Sequence, residues 1–124
     1  MQDRPDVIEL IRTVADTLRE RLMPQLAGSA AFEARVAANA LDLVVRQLTL
    51  AGPGETAELA RLQALLGVEG TLPDLNRLLC DRIAAGAIAA DDAAVLDHLW
   101  ATTLDKLAVD QPTYAAYRAE AAKT

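Results

Sequence analysis

The sequence predicts an all-α fold: a single-domain bundle of five helices, or six if the residues after Pro112 form a short last helix. Apolar residues make up 52% of the 124-residue chain, but only 3% of it is aromatic. The excess is alanine and leucine, which lose little side-chain entropy in a helix. β-branched residues never alternate over the length of a strand, and Gly and Pro fall between periodic segments. One domain of this length can bury a continuous core.

The first half of the chain predicts two helices, over about residues 5–23 and 29–50. Pro5 suits a first helical turn, and Pro24 is expected to bend or end the helix. The apolar stripe of this helix consists of Ile8, Ile11, Ala15, Leu18 and Leu22. Ser29 is the expected N-cap of the second helix. Because apolar residues nearly encircle that second helix, it is predicted to be the central one of the bundle.

The second half of the chain predicts further helices separated by breakers. The predicted segments are a loop at 51–54, helices at about 55–66, 71–85 and 91–109, and a short turn or helix at 112–118. Gly67 and Gly86 are expected to stop two of these helices. Thr71 is expected to cap one helix, and either Asp91 or Asp92 another. The last six residues favour helix, but nothing in the sequence anchors them.

The net charge of −6 argues against two classes of partner. Binding to nucleic acid needs a basic surface that releases counterions from phosphates, and peripheral attachment to anionic membranes also needs basic residues. Seven aspartates lie between residues 71 and 110, against three basic residues. We interpret them as a solvated face that keeps the protein soluble, and a docking surface for a basic partner is the alternative.

The expected compartment is the bacterial-type cytoplasm. Cys80 is the single cysteine, so no internal disulfide can form, and a reducing environment is indicated. The first thirty residues lack the basic, apolar and small-residue order of a secretory signal. No apolar run approaches the ~20 residues that cross a bilayer.

Several single residues could carry chemistry, but each has a simpler structural interpretation. His98 is the only histidine, so a pair of imidazoles cannot form, and it is predicted to lie at a surface or interface. Cys80 is predicted to be an inert small hydrophobe. Ser29 suits a helix cap better than a nucleophile, and Asp91 and Asp92 suit a cap better than a metal site. We therefore expect neither catalysis, nor a metal, nor a cofactor.

Arg35, Asn39, Asp42 and Arg46 form a polar set on the predicted central helix. Arg35 and Asn39 are four residues apart and share a face. Because the neighbouring positions are apolar, this face is predicted to be partly buried, and buried polar groups need partners. It could pin helix packing by pairing with an acidic residue of another helix. It could instead bind an anionic ligand through Arg35.

A second polar set lies near the C-terminus. Lys106 and Asp110 are four residues apart and are predicted to form an ion pair, with Tyr114 packed over the last helical turn. Trp100 and Tyr117 are close in sequence, so three of the four aromatic residues concentrate here. A surface that binds a partner protein is the alternative interpretation of this set.

Three segments resemble the recurring segments of a small bacterial all-helical family of unknown function: residues 35–41 (RVAANAL), 75–80 (LNRLLC) and 106–114 (KLAVDQPTY). Residues 2–5 (QDRP) look like the start of the same family. Its members are typically found beside aminoglycoside-kinase-like phosphotransferases and acyl-CoA dehydrogenases. Where members often carry a histidine after the phenylalanine, this chain has Glu33, so no role for such a histidine carries over.

The resemblance implies a link to acyl-CoA or small-molecule phosphoryl metabolism. The chain lacks a kinase glycine loop and a flavin fingerprint, so it is neither of the neighbouring enzymes. The first hypothesis is a non-catalytic accessory or interaction module, a homo-oligomer that serves such an enzyme and exposes a patch around Trp100 and Tyr114. The alternative is a helical bundle that binds a small acyl or phosphorylated ligand, with Arg35 and Asn39 at the polar end of its cavity.

Overall fold

The computed structural model describes residues 4–123, and all regular structure within them is helical. Its α-helices are α1 (Val7–Thr17), α2 (Gly28–Leu66), α3 (Leu72–Ala84), α4 (Ala93–Asp110) and α5 (Ala115–Ala121). A π-helical turn (Leu18–Leu22) and a 3-10 turn (Met23–Gln25) connect α1 to α2. The predicted all-α fold with five helices is confirmed, although the chain is divided among them differently. Gln2 and Asp3 of the family-like start lie outside the described residues.

The described chain divides into two compact units between Thr49 and Leu50. Unit 1 contains α1, the two turns and α2 as far as Thr49, and unit 2 contains the rest of α2 with α3, α4 and α5. Across residues 4–123, no helix combines the length and the apolar character needed to span a membrane.

The start of α1 is fixed by its own first residues. Asp6 Oδ1 accepts hydrogen bonds from the backbone N–H groups of Ile8 and Glu9, both at 2.9 Å. Glu9 Oε2 in turn accepts from the Asp6 N–H at 2.9 Å, which completes a capping box. The expectation that Pro24 bends or ends this helix is confirmed, because the helix changes to a 3-10 turn at Met23 and helical structure stops at Gln25. Pro24 is tolerated there because the first residues of a helical turn need no N–H donor.

The predicted loop at 51–54 is wrong, because α2 continues through it as one helix. Only Pro53 lacks an N–H, so a single backbone hydrogen bond is lost. A glycine that ends a helix usually has a positive φ. Gly67 has a φ of 69° and ends α2, whereas Gly52 and Gly54 do not have positive φ. The predicted helices at 29–50 and 55–66 are therefore one helix, which begins at Gly28.

The core of unit 2 joins α2, α3 and α4. Its buried residues are Leu62, Leu66, Leu75, Leu79 and Val95. The local signals around it agree with the sequence: Thr71 caps α3, Gly86 with a φ of 71° follows it, and Asp92 caps α4. The Arg82 guanidinium donates to the Leu66 carbonyl at 3.0 Å, so it satisfies an acceptor that the end of α2 leaves free.

Within unit 1, α2 is buried on one side only, which corrects its predicted central position. The buried residues of unit 1 are Ala15, Ala34, Ala38 and Val45. Large apolar side chains on the other side of α2 are exposed, and Phe32 keeps 61% of its surface accessible. The physical reason is that unit 1 supplies α1 and two short turns to pack against α2, which cover one side of a helix that is apolar around most of its circumference.

Candidate functional site

Two of the four polar residues of the set on α2, Asn39 and Asp42, contact an arginine that the sequence analysis did not consider. Arg19 lies in the π-helical turn, and its Nη2 is 2.5 Å from Asp42 Oδ2 and 3.4 Å from Asn39 Oδ1. The sequence predicted that an acidic residue of another helix would pair with this polar set, but the residue that contacts it is the basic Arg19. Arg35 and Asn39 are both exposed, which corrects the predicted partial burial of the face that they share, whereas Asp42 and Arg46 are half-buried. The Arg19–Asp42 pair joins the π-helical turn to α2.

The C-terminal polar set is exposed but not paired as predicted. Trp100, Lys106, Asp110 and Tyr114 all lie in the exposed class. Among the ion pairs formed by residues 4–123, none joins Lys106 to Asp110, because both side chains extend into solvent, where such a pair gains little. Tyr117 is half-buried on α5.

Unit 2 contains a polar layer that the sequence analysis missed, beside its apolar core. Arg61 Nη2 of α2 donates to Thr102 Oγ1 at 3.2 Å and lies 3.3 Å from Asp105 Oδ2, both on α4. Asn76 Nδ2 of α3 donates to Glu58 Oε1 of α2 at 3.0 Å. These contacts join all three of the helices that form the core.

His98 belongs to this layer and is only 3% exposed, so the prediction that it lies at a surface or interface is wrong. Burial and the nearby Arg61 cation lower the pKa of His98 below its usual 6.5, and the Glu58 carboxylate partly opposes them. His98 Nδ1 and Arg61 Nε are buried without a hydrogen-bond partner. The spacing in the sequence could have indicated this burial, because His98 follows the core residue Val95 by three positions and so lies on the same side of α4.

The remaining candidate residues, Asp92 and Cys80, do not form a site. Asp92 Oδ1 accepts from the Ala94 N–H at 2.9 Å and from the Val95 N–H at 3.4 Å, as expected of a cap. Cys80 is exposed on α3. Within residues 4–123, no three His, Cys, Asp or Glu side chains are grouped so that they could hold a metal ion.

Two exposed apolar faces are candidate binding surfaces. On α4, the residues Leu96, Leu99 and Trp100 are spaced by three and four positions and all are exposed, with Trp100 at 55%. Thr103 continues this side, and its hydroxyl is satisfied by the Leu99 carbonyl at 2.7 Å. The residues of α4 that are buried in unit 2 are Val95, His98, Thr102 and Val109. The second face lies on the part of α2 that belongs to unit 1.

Comparison with known proteins adds one match. A family model described as "Domain of unknown function (DUF6285)" matches residues 24–114, which include the polar set of α2, all of α3 and α4, and Tyr114. No curated protein and no solved structure matches the chain.

Proposed function

We propose that this chain, which belongs to the DUF6285 family of domains of unknown function, is a non-catalytic interaction module that self-associates and docks onto an enzyme in the bacterial cytoplasm. The single observation that supports the docking onto an enzyme is the exposed apolar face of α4, formed by Leu96, Leu99 and Trp100. Tryptophan is among the residue types that most often dominate binding energy, and the two leucines beside it would help to exclude water once a partner is bound.

The expected partner comes from the resemblance of the chain to its family. It is an aminoglycoside-kinase-like phosphotransferase or an acyl-CoA dehydrogenase, the enzymes beside which such proteins are typically found. A non-catalytic role is favoured by the placement of the potential catalytic groups. Cys80 is exposed on α3, whereas the only imidazole, that of His98, is buried in the polar layer.

The test is affinity capture from native lysate with matched baits. The wild-type chain is compared with the double variant Leu96→Lys/Trp100→Lys and with Val36→Lys, which places a charge on α2 instead. We expect the wild type and Val36→Lys to enrich one of the two enzymes, and the α4 double variant to lose it. Direct titration of the purified enzyme with each bait then measures the loss, which we expect to be about 100-fold or more because truncated hot spots each cost ≥ 2 kcal/mol.

Capture of no phosphotransferase and no dehydrogenase, or equal capture by the α4 double variant, would contradict the proposal. The alternative, a bundle that binds a small acyl or phosphorylated ligand, placed Arg35 and Asn39 in a cavity. Both residues are exposed, and Asn39 already accepts from Arg19. Thermal-shift screening with coenzyme A thioesters and phosphorylated sugars tests this alternative, for which Arg35→Ala should abolish any stabilisation by the ligand.

A further inference from the structure

The part of α2 in unit 1 carries a continuous apolar ridge on its outer side. The ridge consists of Phe32, Val36, Ala40, Val44 and Leu48, each four residues from the next, and all five are exposed. Its centre, Ala40, lies on the far side of the helix from the buried residues Ala38 and Val45, because each residue turns an α-helix by about 100°. Ala37 and Leu43 flank the centre and are exposed as well.

We infer that this outer ridge binds the same ridge of a second copy of the chain, in antiparallel orientation, with the two Ala40 residues at the crossing point. This inference deepens the self-association in the proposed function by naming its surface and geometry. It uses a face separate from that of α4, so the two proposals can fail independently.

The first argument is the symmetry of the ridge. Val36 and Val44 lie four residues before and after Ala40, and Phe32 and Leu48 lie eight residues before and after it. In an antiparallel pair centred on Ala40, each valine is therefore opposite a valine, and each Phe32 is opposite a Leu48 of the second copy. A two-fold interface needs such a self-complementary surface.

The second argument is the packing geometry. Ridges formed by every fourth residue run parallel to each other when two helices cross at about −50°, the commonest crossing in globular proteins, so the two copies of the ridge can follow each other along the interface. The helices approach most closely at the crossing point, and a small side chain there permits the lower end of the usual ~8–10 Å axis separation. Ala40 is the smallest residue of the ridge and occupies that position.

The third argument is charge, which decides the orientation. Glu33 and Gln47 are the polar residues of the outer side, seven positions before and after Ala40, and both are exposed. In the antiparallel pair, each Glu33 carboxylate faces the amide of Gln47 from the second copy, which can donate a hydrogen bond. In a parallel pair the two Glu33 carboxylates would face each other, and like charges in an interface are costly.

The size of the ridge sets the expected affinity. From Phe32 to Leu48 it is about 24 Å long, at ~1.5 Å per residue. A standard interface takes about 800 Å² and 20–30 residues from each partner, which is more than one side of this helical stretch supplies. We therefore expect a dimer that dissociates in the micromolar range.

Sedimentation equilibrium over a range of concentrations tests the surface. Val36→Glu is compared with Leu96→Glu, because the two side chains are equally exposed, at 50%, on the two candidate faces. We expect the wild type and Leu96→Glu to move from monomer to dimer with concentration. Val36→Glu should weaken dimerisation by about 100-fold or more, since the symmetry places two carboxylates in the interface. Circular dichroism verifies that both variants remain folded.

Disulfide trapping tests the orientation in a Cys80→Ser background, which is suitable because Cys80 is exposed. Helices whose axes are ~8–10 Å apart bring facing Cα atoms within disulfide range. We expect Ala40→Cys to form a covalent dimer on mild oxidation. Val36→Cys mixed with Val44→Cys should form the heterodimer, while Val36→Cys alone should form little, because in an antiparallel pair its two copies lie ~12 Å apart along the helix axis.

The outcomes separate the alternatives. A wild type that stays monomeric at every concentration, or a dimer that Leu96→Glu disrupts and Val36→Glu does not, overturns the inference. Efficient dimers of Val36→Cys alone would indicate a parallel pair and overturn the orientation. Loss of dimerisation by Val36→Glu with retained capture of the enzyme supports both proposals. Dimerisation through α2 with no enzyme captured leaves this inference standing and removes the docking role of α4.

Discussion

Arg61 on α2 lies 3.3 Å from Asp105 on α4, measured from Nη2 to Oδ2. The same Nη2 donates to Thr102 Oγ1 at 3.2 Å, one turn earlier on α4. One guanidinium therefore links two turns of α4 to α2, at the edge of a core that both helices share. Its Nε is buried and has no partner, so part of the gain is offset by an unmade hydrogen bond.

Replacing Arg61 should destabilise unit 2. We expect Arg61→Ala to lower the free energy of unfolding by roughly 1–3 kcal/mol, because Thr102, which is buried, loses its donor. The control is Arg77→Ala, whose pair with Asp74 at 3.5 Å is exposed on both sides and should cost less than about 0.5 kcal/mol. Urea titration measures both, and equal losses would mean that the Arg61 contacts add nothing beyond a surface pair.

The burial of His98 should make stability depend on pH. The pKa of its imidazole is lowered in the folded chain, mainly by burial, and is about 6.5 in the unfolded chain. The unfolded chain then binds more protons as pH falls below about 6.5, down to the pKa of the folded state. The contribution to stability is complete above pH 6.5 and is lost below it, with a limiting slope of about 1.4 kcal/mol per pH unit.

Urea unfolding at several pH values between 5 and 8 measures this dependence. The variant His98→Gln provides the reference, since it keeps a polar side chain but does not titrate. We expect the difference between wild type and variant to shrink as pH falls from 7.5 to 5.5. A difference that stays constant over this range would show that His98 does not bind a proton on unfolding.

Two arginines of unit 1 should differ in their effect on stability. Arg19→Ala should cost about 1 kcal/mol, because it breaks the contact with the half-buried Asp42 and removes the donor to Asn39. Arg35→Ala should stay within about 0.5 kcal/mol of the wild type, because Arg35 is exposed. Thermal melts of the two variants under the same conditions make the comparison. If Arg35→Ala is the more damaging, the arginine with the structural role is Arg35.

Pro53 should reduce the stability of α2. Pro53→Ala restores a backbone donor and removes the clash of the ring with the preceding turn, so it should raise the free energy of unfolding by roughly 1–3 kcal/mol. Pro73→Ala is the matched control, because Pro73 lies in the first turn of α3, where no donor is needed. A gain for Pro73→Ala but not for Pro53→Ala would contradict the reasoning.

Local signals predicted much of the fold. Thr71, Gly67, Gly86 and Asp92 start or stop helices as expected, because capping and positive φ involve groups within about four residues. The segment 51–54 carried equally strong breakers and is helical all the same. Its two glycines permit helical as well as left-handed φ, and the single donor lost at Pro53 can be offset by contacts elsewhere in the fold.

The candidate site was predicted less well. Trp100 and Tyr114 could be singled out because aromatic residues are rare in this chain. Arg61 and Glu58 could not, since charged residues on a predicted helix are ordinarily solvated. Each depends on a partner that is distant in sequence: Glu58 contacts Asn76, 18 positions away, and Arg61 contacts Thr102, 41 positions away.

The sequence by itself determined that the chain is helical, where most helices start and stop, that the surface is acidic, and that α2 is apolar on nearly every side. Only the tertiary structure decided which of those sides is covered, that His98 is buried, and that the ridge centred on Ala40 remains exposed. The physical reason is the distance along the chain over which each effect acts. Caps and breakers act through the nearest few residues of the chain, whereas burial depends on which distant segments pack against a side chain.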